Sequence, residues 1–258
     1  MYKRSAKRLT DILLSMLVLV SALTLTWTGL RSTAPEALPA SADSISGNEV
    51  LSSLPDDAYV IVVDAGHGGF DGGAVGSSTG VVEAELNLSV ARLLADELLK
   101  RGYYVIMTRE DNNALAETKS EDMECRRRIM QLDCVDLVVS VHMNKFTESS
   151  VSGPMVFYMK NSAEGKALAE KVMNSLCSNL GRPQRIVNPE ELFVLRVPYA
   201  PSVLVECGFL SNYNDEQMLC DEVYQAKLAE AICEGIVAYM AAKPQNDAVS
   251  PTGKQPLG

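Results

Sequence analysis

The 258-residue chain contains little histidine and little basic charge. It has two histidines, one tryptophan and 23 Lys and Arg against 33 Asp and Glu, for a formal net charge of −10. Binding to nucleic acid or to an anionic lipid surface needs a basic face that displaces counterions, so this balance argues against both partners. The six cysteines include no C-x-x-C pair. They are interpreted as small buried apolar residues, with one or two disulfides left open.

The N-terminus has the pattern of an export signal. Four basic residues precede an uncharged apolar run from Ile12 to about Leu30, and roughly 20 apolar residues span a bilayer. We therefore predict a signal anchor over residues 1–30, with the rest of the chain outside the cytoplasm. The alternative is a signal peptide cleaved after Ala40-Ser41-Ala42, where the small residues fit but lie well beyond the apolar run.

Two segments without sustained periodicity flank the middle of the chain. Residues 31–57 are rich in Ser, Ala, Pro and acidic residues and are interpreted as a linker, and residues 243–258 as a disordered tail. A single catalytic domain over 58–242 remains, and nothing in it repeats at a fixed period.

From Ala58 onward, short apolar runs rich in β-branched residues alternate with longer amphipathic stretches. This alternation predicts a single α/β domain with a mostly parallel central sheet and helices on both faces. Strands are predicted at Tyr59–Asp64, Tyr103–Thr108, Asp136–Val141, Met155–Met159 and Ser202–Glu206. Helices are predicted from Glu83 to near Gly102, over Glu121–Leu132 with its three arginines on the exposed side, and over Ala163–Leu180 and Glu216–Met240.

Both histidines fall at the ends of predicted core strands. His67 lies in a glycine-rich turn after the first strand, and His142 directly follows DLVVSV. Ligands of open α/β sheets bind outside the carboxyl ends of the strands, so both imidazoles are expected at one site. Two imidazoles and one carboxylate make a zinc site that keeps a position open for water. Glu83 and Glu85 are the candidates for the third ligand, and Glu83 is preferred because it is closer to the loop.

Two further residues are predicted to take part in chemistry. Glu206 ends the apolar run VLVE, where burial is expected to raise its pKa enough for proton exchange with water at a metal. Arg196, ahead of that strand, is predicted to orient a substrate carbonyl or carboxylate. Ordinary interpretations stay open: Glu83 as an acid favoured at a helix start, Arg196 as a surface cation, and the histidines as polar groups with common partners.

Four segments resemble, in order, the successive motifs of zinc-dependent N-acetylmuramoyl-L-alanine amidases of the amidase 3 type. They are VVDAGHGGFDGGAVG, GVVEAELNL, SVHMN and PSVLVECGFLSN. The resemblance implies that His67, Glu83 and His142 bind one zinc ion and that Glu206 is the catalytic glutamate. It also matches Arg196 to the arginine of the family's V-L-R segment. The implied reaction is hydrolysis of the amide bond between N-acetylmuramic acid and L-alanine in peptidoglycan.

Within that family the chain is most similar to the germination-specific spore cortex amidases, which share its hydrophobic N-terminus and single catalytic domain. This similarity implies a role in forming muramic δ-lactam in the cortex, in a pathway with a muramic-acid deacetylase and an accessory lipoprotein. It also implies a place in the cell envelope, such as the space between the forespore membranes. The long helical insertion by which some amidases inhibit themselves is expected to be absent.

Other functions fit the sequence less well. The segment Gly76-Ser77-Ser78-Thr79-Gly80 matches the G-x-S-x-G of serine hydrolases, but no apolar strand leads directly into it. Non-haem iron also takes two histidines and one carboxylate. A phosphate-binding loop would need a G-K-[ST] ending that the glycine-rich turn lacks. An inactive wall-binding module of the same fold is the alternative from a different class, and the intact set of ligand and acid residues argues against it.

Overall fold

The computed structural model describes residues 54–55 and 58–243. The predicted N-terminal anchor, nearly all of the linker and the predicted tail beyond residue 243 lie outside the described residues. Inside them, no helix is both long enough and apolar enough to cross a membrane.

The centre of the fold is a six-stranded sheet with the strand order β2-β1-β3-β6-β4-β5. The strands are β1 (Val60–Ala65), β2 (Tyr104–Met107), β3 (Val135–Asn144), β4 (Met155–Met159), β5 (Asn188–Glu190) and β6 (Ser202–Phe209). Every neighbouring pair is parallel except β4 with β6, which is antiparallel. The predicted α/β class with a mostly parallel sheet is confirmed.

Helices pack on both faces of this sheet. They are α1 (Glu83–Lys100), α2 (Lys119–Met130), α3 (Ala163–Asn179), α4 (Tyr213–Leu219) and α5 (Glu222–Ala242), with a short 3-10 helix at Phe193–Leu195. Successive side chains of a strand point to opposite faces. Ile61 and Val63 of β1 therefore belong to the core cluster that includes residues of α1, α3 and α5, whereas Val60 and Val62 belong to the cluster that includes residues of α2 and the 3-10 helix. Five of the six cysteines are buried, as expected for small apolar residues.

Several element boundaries differ from the sequence prediction. His142 and Glu206 lie inside β3 and β6 and not at their ends, because the parallel pairing of the two strands continues through both residues. The helix predicted over Glu216–Met240 is two helices, α4 and α5. Asp221 is the N-cap of α5, because its side chain accepts a hydrogen bond from the N–H of Val223. Strand β5 was not predicted. Its three residues, which include Pro189, carry no apolar alternation.

The prediction that all three arginines of α2 lie on its exposed side is wrong for Arg126. Its side chain is 2% exposed and donates to Asp64 Oδ1 at 2.6 Å and to Asp122 Oδ2 at 2.7 Å. Asp64 is a fully buried carboxylate at the end of β1, and a buried charge is costly unless it is paired. The helix therefore turns one arginine towards the sheet, while Arg127 and Arg128 remain at the surface.

Candidate metal centre

Three side chains converge just past the carboxyl end of β1 and beside the last residues of β3, which include His142. One ligand atom from each of His67, Glu83 and His142 lies within 4.8 Å of the other two. Glu83 Oε1 is 3.2 Å from His67 Nε2 and 3.0 Å from His142 Nδ1. The imidazole rings stand edge to face, with centroids 5.0 Å apart. Two imidazole nitrogens and a carboxylate oxygen around one point form a donor set that suits a divalent zinc ion.

The glycine-rich loop folds back onto the start of α1 and thereby places Glu83. The N–H of Glu83 donates to Ala74 O at 2.8 Å, and the N–H of Ala74 donates to Glu83 Oε2 at 2.7 Å. Gly73 has φ of 70°, and a Cβ there would lie 2.5 Å from Glu83 Oε2, so the loop needs glycine at this position. Glu85, the other candidate ligand, is exposed and is not part of the cluster.

Glu83 is held as a carboxylate. Burial alone would raise its pKa, but hydrogen bonds and charges from His142 and His67 outweigh burial and hold the pKa well below its usual range. Asn87 Nδ2 and the N–H of Met143 also donate to Oε1, at 3.2 and 3.3 Å. Hydrogen bonds to the charged form favour it. The ionised carboxylate is the form that ligates a metal.

Glu206 is the neighbour of His142 across the β3–β6 pair. Its Oε2 is buried and has no hydrogen-bond partner among the described residues. Burial raises the pKa of Glu206 to about 7; the His142 and His67 charges act against this rise, and Glu83 adds to it. A carboxyl group that changes protonation near neutral pH can accept a proton and return it.

Gly66 leaves the space that the His142 ring occupies. A Cβ on Gly66 would lie 2.2 Å from both Cε1 and Nε2 of His142. Contact this close is not possible between real atoms, so any side chain at this position would displace the ring. Gly66, which directly precedes His67, is therefore needed to leave room for the ring of His142.

Two buried arginines, which the sequence analysis did not identify, hold the backbone around His67. Arg109 donates to Ala65 O at 2.9 Å and to Gly66 O at 2.9 Å. Arg126 donates to Ala65 O at 2.8 Å and to His67 O at 2.5 Å. Non-glycine residues rarely adopt positive φ, and His67 has φ of 60°. The guanidinium groups bind the carbonyls of this strained turn, which no local sequence pattern indicates.

Two polar residues beside the candidate ligands were also missed from the sequence. Asp71 Oδ1 lies 3.1 Å from His67 Nδ1, and Lys119 Nζ lies 2.9 Å from Asp71 Oδ2. Burial raises the pKa of Asp71, but Lys119 and His67 outweigh it and bring the pKa to about 2. Asn87 is fully buried on the inner face of α1. Its place four residues after Glu83, among apolar residues, was a signal in the sequence, because residues four apart share a helix face.

Two other predicted features lie outside the cluster. Arg196 is exposed at the end of the 3-10 helix, and its Nη2 donates to Glu191 O at 3.2 Å. The G-x-S-x-G loop is held by Glu216, which accepts from the N–H of Ser78 at 2.9 Å and from the N–H of Thr79 at 2.6 Å. No strand leads directly into this loop, because ten residues separate the end of β1 at Ala65 from Gly76. The arrangement of a serine hydrolase is therefore absent at this loop.

Comparison with known proteins assigns the family. The family Amidase_3, described as N-acetylmuramoyl-L-alanine amidase, matches residues 61–238. The chain belongs to this amidase family. The amidase is 34% identical over 200 residues to the germination-specific N-acetylmuramoyl-L-alanine amidase of Bacillus subtilis (strain 168), covering 74% of this chain and 84% of that one. It is 33% identical over 183 residues to the N-acetylmuramoyl-L-alanine amidase LytC of the same organism, covering 69% of this chain and 35% of that one.

A solved structure supports the same assignment. The CwlD amidase from Clostridioides difficile, in complex with the GerS lipoprotein, is 33% identical to this amidase and superposes with a TM-score of 0.69. The match covers 72% of this chain and all of that one. The resemblance noted from the four sequence motifs is therefore confirmed at the level of family and fold.

Proposed function

We propose that this amidase hydrolyses the amide bond between N-acetylmuramic acid and L-alanine in peptidoglycan. The observation that carries the proposal is the convergence of His67, Glu83 and His142, with the buried carboxyl oxygen of Glu206 on the neighbouring strand. This arrangement provides a ligand set and a proton carrier at one edge of the sheet, where α/β proteins bind their ligands.

We infer that His67, Glu83 and His142 hold one zinc ion. Zinc with three protein ligands polarises a carbonyl and lowers the pKa of water at its open position. The donor types and the convergence of the ligand atoms fit this ion. The chain's own contribution is orientation: Asn87 and the N–H of Met143 fix the Glu83 carboxylate, and Gly66 leaves room for the His142 ring.

Glu206 is the residue we assign to proton transfer. Hydrolysis adds a hydroxyl group to the carbonyl carbon, breaks the C–N bond and adds a proton to the nitrogen that becomes the amino group of L-alanine. A pKa of about 7 lets the Glu206 carboxyl accept a proton early in this sequence and donate it to the leaving nitrogen. Arg196 remains a predicted substrate-orienting residue, and its exposed guanidinium is accessible to a large polymer.

The relatives point to a setting outside the cytoplasm. Among them are an amidase that is named for spore germination and several named as cell wall amidases. We propose that this amidase is exported, that residues 1–30 anchor it in the membrane, and that it acts in spore cortex maturation, where muramic δ-lactam forms together with a deacetylase. The GerS complex of the CwlD amidase supports an accessory lipoprotein as partner.

The experiment that tests this function measures new L-alanine amino ends released from purified peptidoglycan. We expect release by the purified protein, loss of release after chelation, and its return when zinc is added. Metal-independent release would exclude the zinc mechanism. Recovery with ferrous iron and not with zinc would instead favour the non-haem iron alternative.

One substitution distinguishes the enzyme hypothesis from that of an inactive wall-binding module. Glu206→Ala is expected to keep zinc and peptidoglycan binding and to lose turnover by about two to four orders of magnitude, the range for a general acid–base residue. If wild type binds peptidoglycan and zinc but releases no L-alanine with or without a lipoprotein partner, the wall-binding alternative is correct.

A further inference from the structure

The two ring nitrogens of His67 face different carboxylates. Nε2 points into the metal cluster, 3.2 Å from Glu83 Oε1, and Nδ1 points away from it, 3.1 Å from Asp71 Oδ1. A neutral imidazole carries one proton, and an ionised carboxylate can only accept. If Glu83 and Nε2 both bound a metal ion, the carboxylate at Nδ1 would hold the one remaining proton on that nitrogen and leave the lone pair of Nε2 for the metal.

Asp71 is itself fixed in place by three groups. Its Oδ1 accepts from the N–H of Gly73 at 3.2 Å, and its Oδ2 lies 2.9 Å from Lys119 Nζ. Its backbone pairs with Gly68 in both directions, at 2.8 and 3.1 Å, and closes the turn that directly follows His67. The carboxylate therefore has little freedom to rotate away from the imidazole.

Helix α2 contacts the segment around His67 through two residues, one at its start and one two turns later. Lys119, its first residue, fixes the carboxylate beside the His67 ring, and Arg126, two turns later, donates to the backbone carbonyl of His67. The side chain and the backbone of one histidine are thus oriented by one helix. A carboxylate that only stabilised the loop would not need to face the unligated nitrogen of the ring.

We propose that Asp71 is a positioning residue that keeps the proton on His67 Nδ1 and so presents Nε2 to the zinc ion, with Lys119 holding the carboxylate in that orientation. This inference rests on the proposed function, because it takes His67 as a metal ligand. Partners of this kind orient metal-ligating histidines in other proteins, and their loss typically weakens metal binding about 10-fold to 100-fold.

The first test compares zinc affinities of the full-length protein by competition with a chromophoric chelator. Asp71→Asn is expected to weaken zinc binding about 10-fold to 100-fold. An amide at this position must place its NH₂ group against either Lys119 or the imidazole, and both contacts are unfavourable. Asp71→Ala is expected to weaken zinc binding within the same range. The matched control is Asp96→Asn, which removes the same charge from an exposed position on α1 and is expected to leave the affinity unchanged.

The second test needs no substitution at Asp71. The chain has two histidines, so the imidazole ¹⁵N spectrum of zinc-loaded wild type contains two rings, and through-bond correlations from each ring to its backbone assign them. We expect a proton on Nδ1 of His67 and the metal on Nε2. A proton on Nε2 would overturn the proposal whatever the affinities are.

The outcomes separate this inference from the proposed function. If wild type binds zinc and both Asp71 variants bind it as tightly as Asp96→Asn, Asp71 has no positioning role and the metal site stands. If wild type fails to bind zinc, the metal site and this inference are both wrong.

Discussion

The raised pKa of Glu206 predicts a specific pH dependence of stability in the metal-free protein. The pKa is raised from 4.5 to about 7 in the folded state. Between these two values the folded state holds a proton that the unfolded state has released. The contribution of Glu206 to the free energy of unfolding therefore falls as pH rises through this window, and it is constant above the folded pKa. At about 1.4 kcal/mol per pKa unit the total fall is roughly 3 kcal/mol.

Glu206→Gln removes this titration, because an amide stays neutral at every pH. The difference in free energy of unfolding, variant minus wild type, is expected to rise by roughly 3 kcal/mol between about pH 4 and pH 8. The measurement is urea denaturation of both proteins in the presence of a chelator, followed by circular dichroism. Any constant offset from the new amide cancels, because only the change with pH is used.

Glu85→Gln is the matched control, since Glu85 is an exposed carboxylate near the same site. Its difference from wild type is expected to stay flat across the same pH range. A flat difference for Glu206→Gln as well would mean that the Glu206 carboxyl is solvated in the folded protein. The proton-transfer role would then lose its electrostatic basis.

Three other substitutions test separate parts of the structure. Gly66→Ala is expected to displace the His142 ring, weakening zinc binding at least about 10-fold and lowering the free energy of unfolding by about 1–3 kcal/mol, measured by chelator competition and denaturation. Arg126→Met is expected to lower the free energy of unfolding by about 3–5 kcal/mol, because Asp64 is left buried without its cation, as denaturation at neutral pH would measure. Ser78→Ala is expected to leave L-alanine release unchanged, since the contact of this residue with α4 uses its backbone N–H.

Each of these substitutions has a control variant or an outcome that would contradict the prediction. In Gly80→Ala the new Cβ meets no atom within 4 Å, although the φ of 75° strains any side chain. This variant is expected to lose some stability and to keep full zinc affinity, so equal affinities for the two alanine variants would contradict the steric argument. Arg127→Ala removes a surface cation and is expected to change stability by less than about 0.5 kcal/mol. A similar small loss for Arg126→Met would mean that the buried pair contributes little. Loss of L-alanine release in Ser78→Ala would restore the serine hydrolase interpretation.

The sequence by itself determined the fold class, the family and the identity of the candidate ligands. Periodicity and β-branched runs indicate which segments are buried strands and amphipathic helices, because buried positions recur along the chain with the period of each element. Two histidines at the ends of two predicted strands were enough to place a site at one edge of the sheet, since the carboxyl ends of parallel strands meet there.

Only the tertiary structure decided how the site is assembled. Glu83 was preferred over Glu85 from the sequence, but the loop that returns to the start of α1 and places its carboxylate is seen only in the fold. The pairing of His142 with Glu206 depends on the register of two strands that are far apart in sequence. Arg126 reaches the backbone of His67 from a helix that is distant in sequence, whereas Asp71 lies four residues after His67 in the same loop, and only the folded loop shows that its carboxylate faces the ring. Local patterns record which residues are buried, whereas the partner that a buried polar group finds is set by chain segments that meet only when the protein folds.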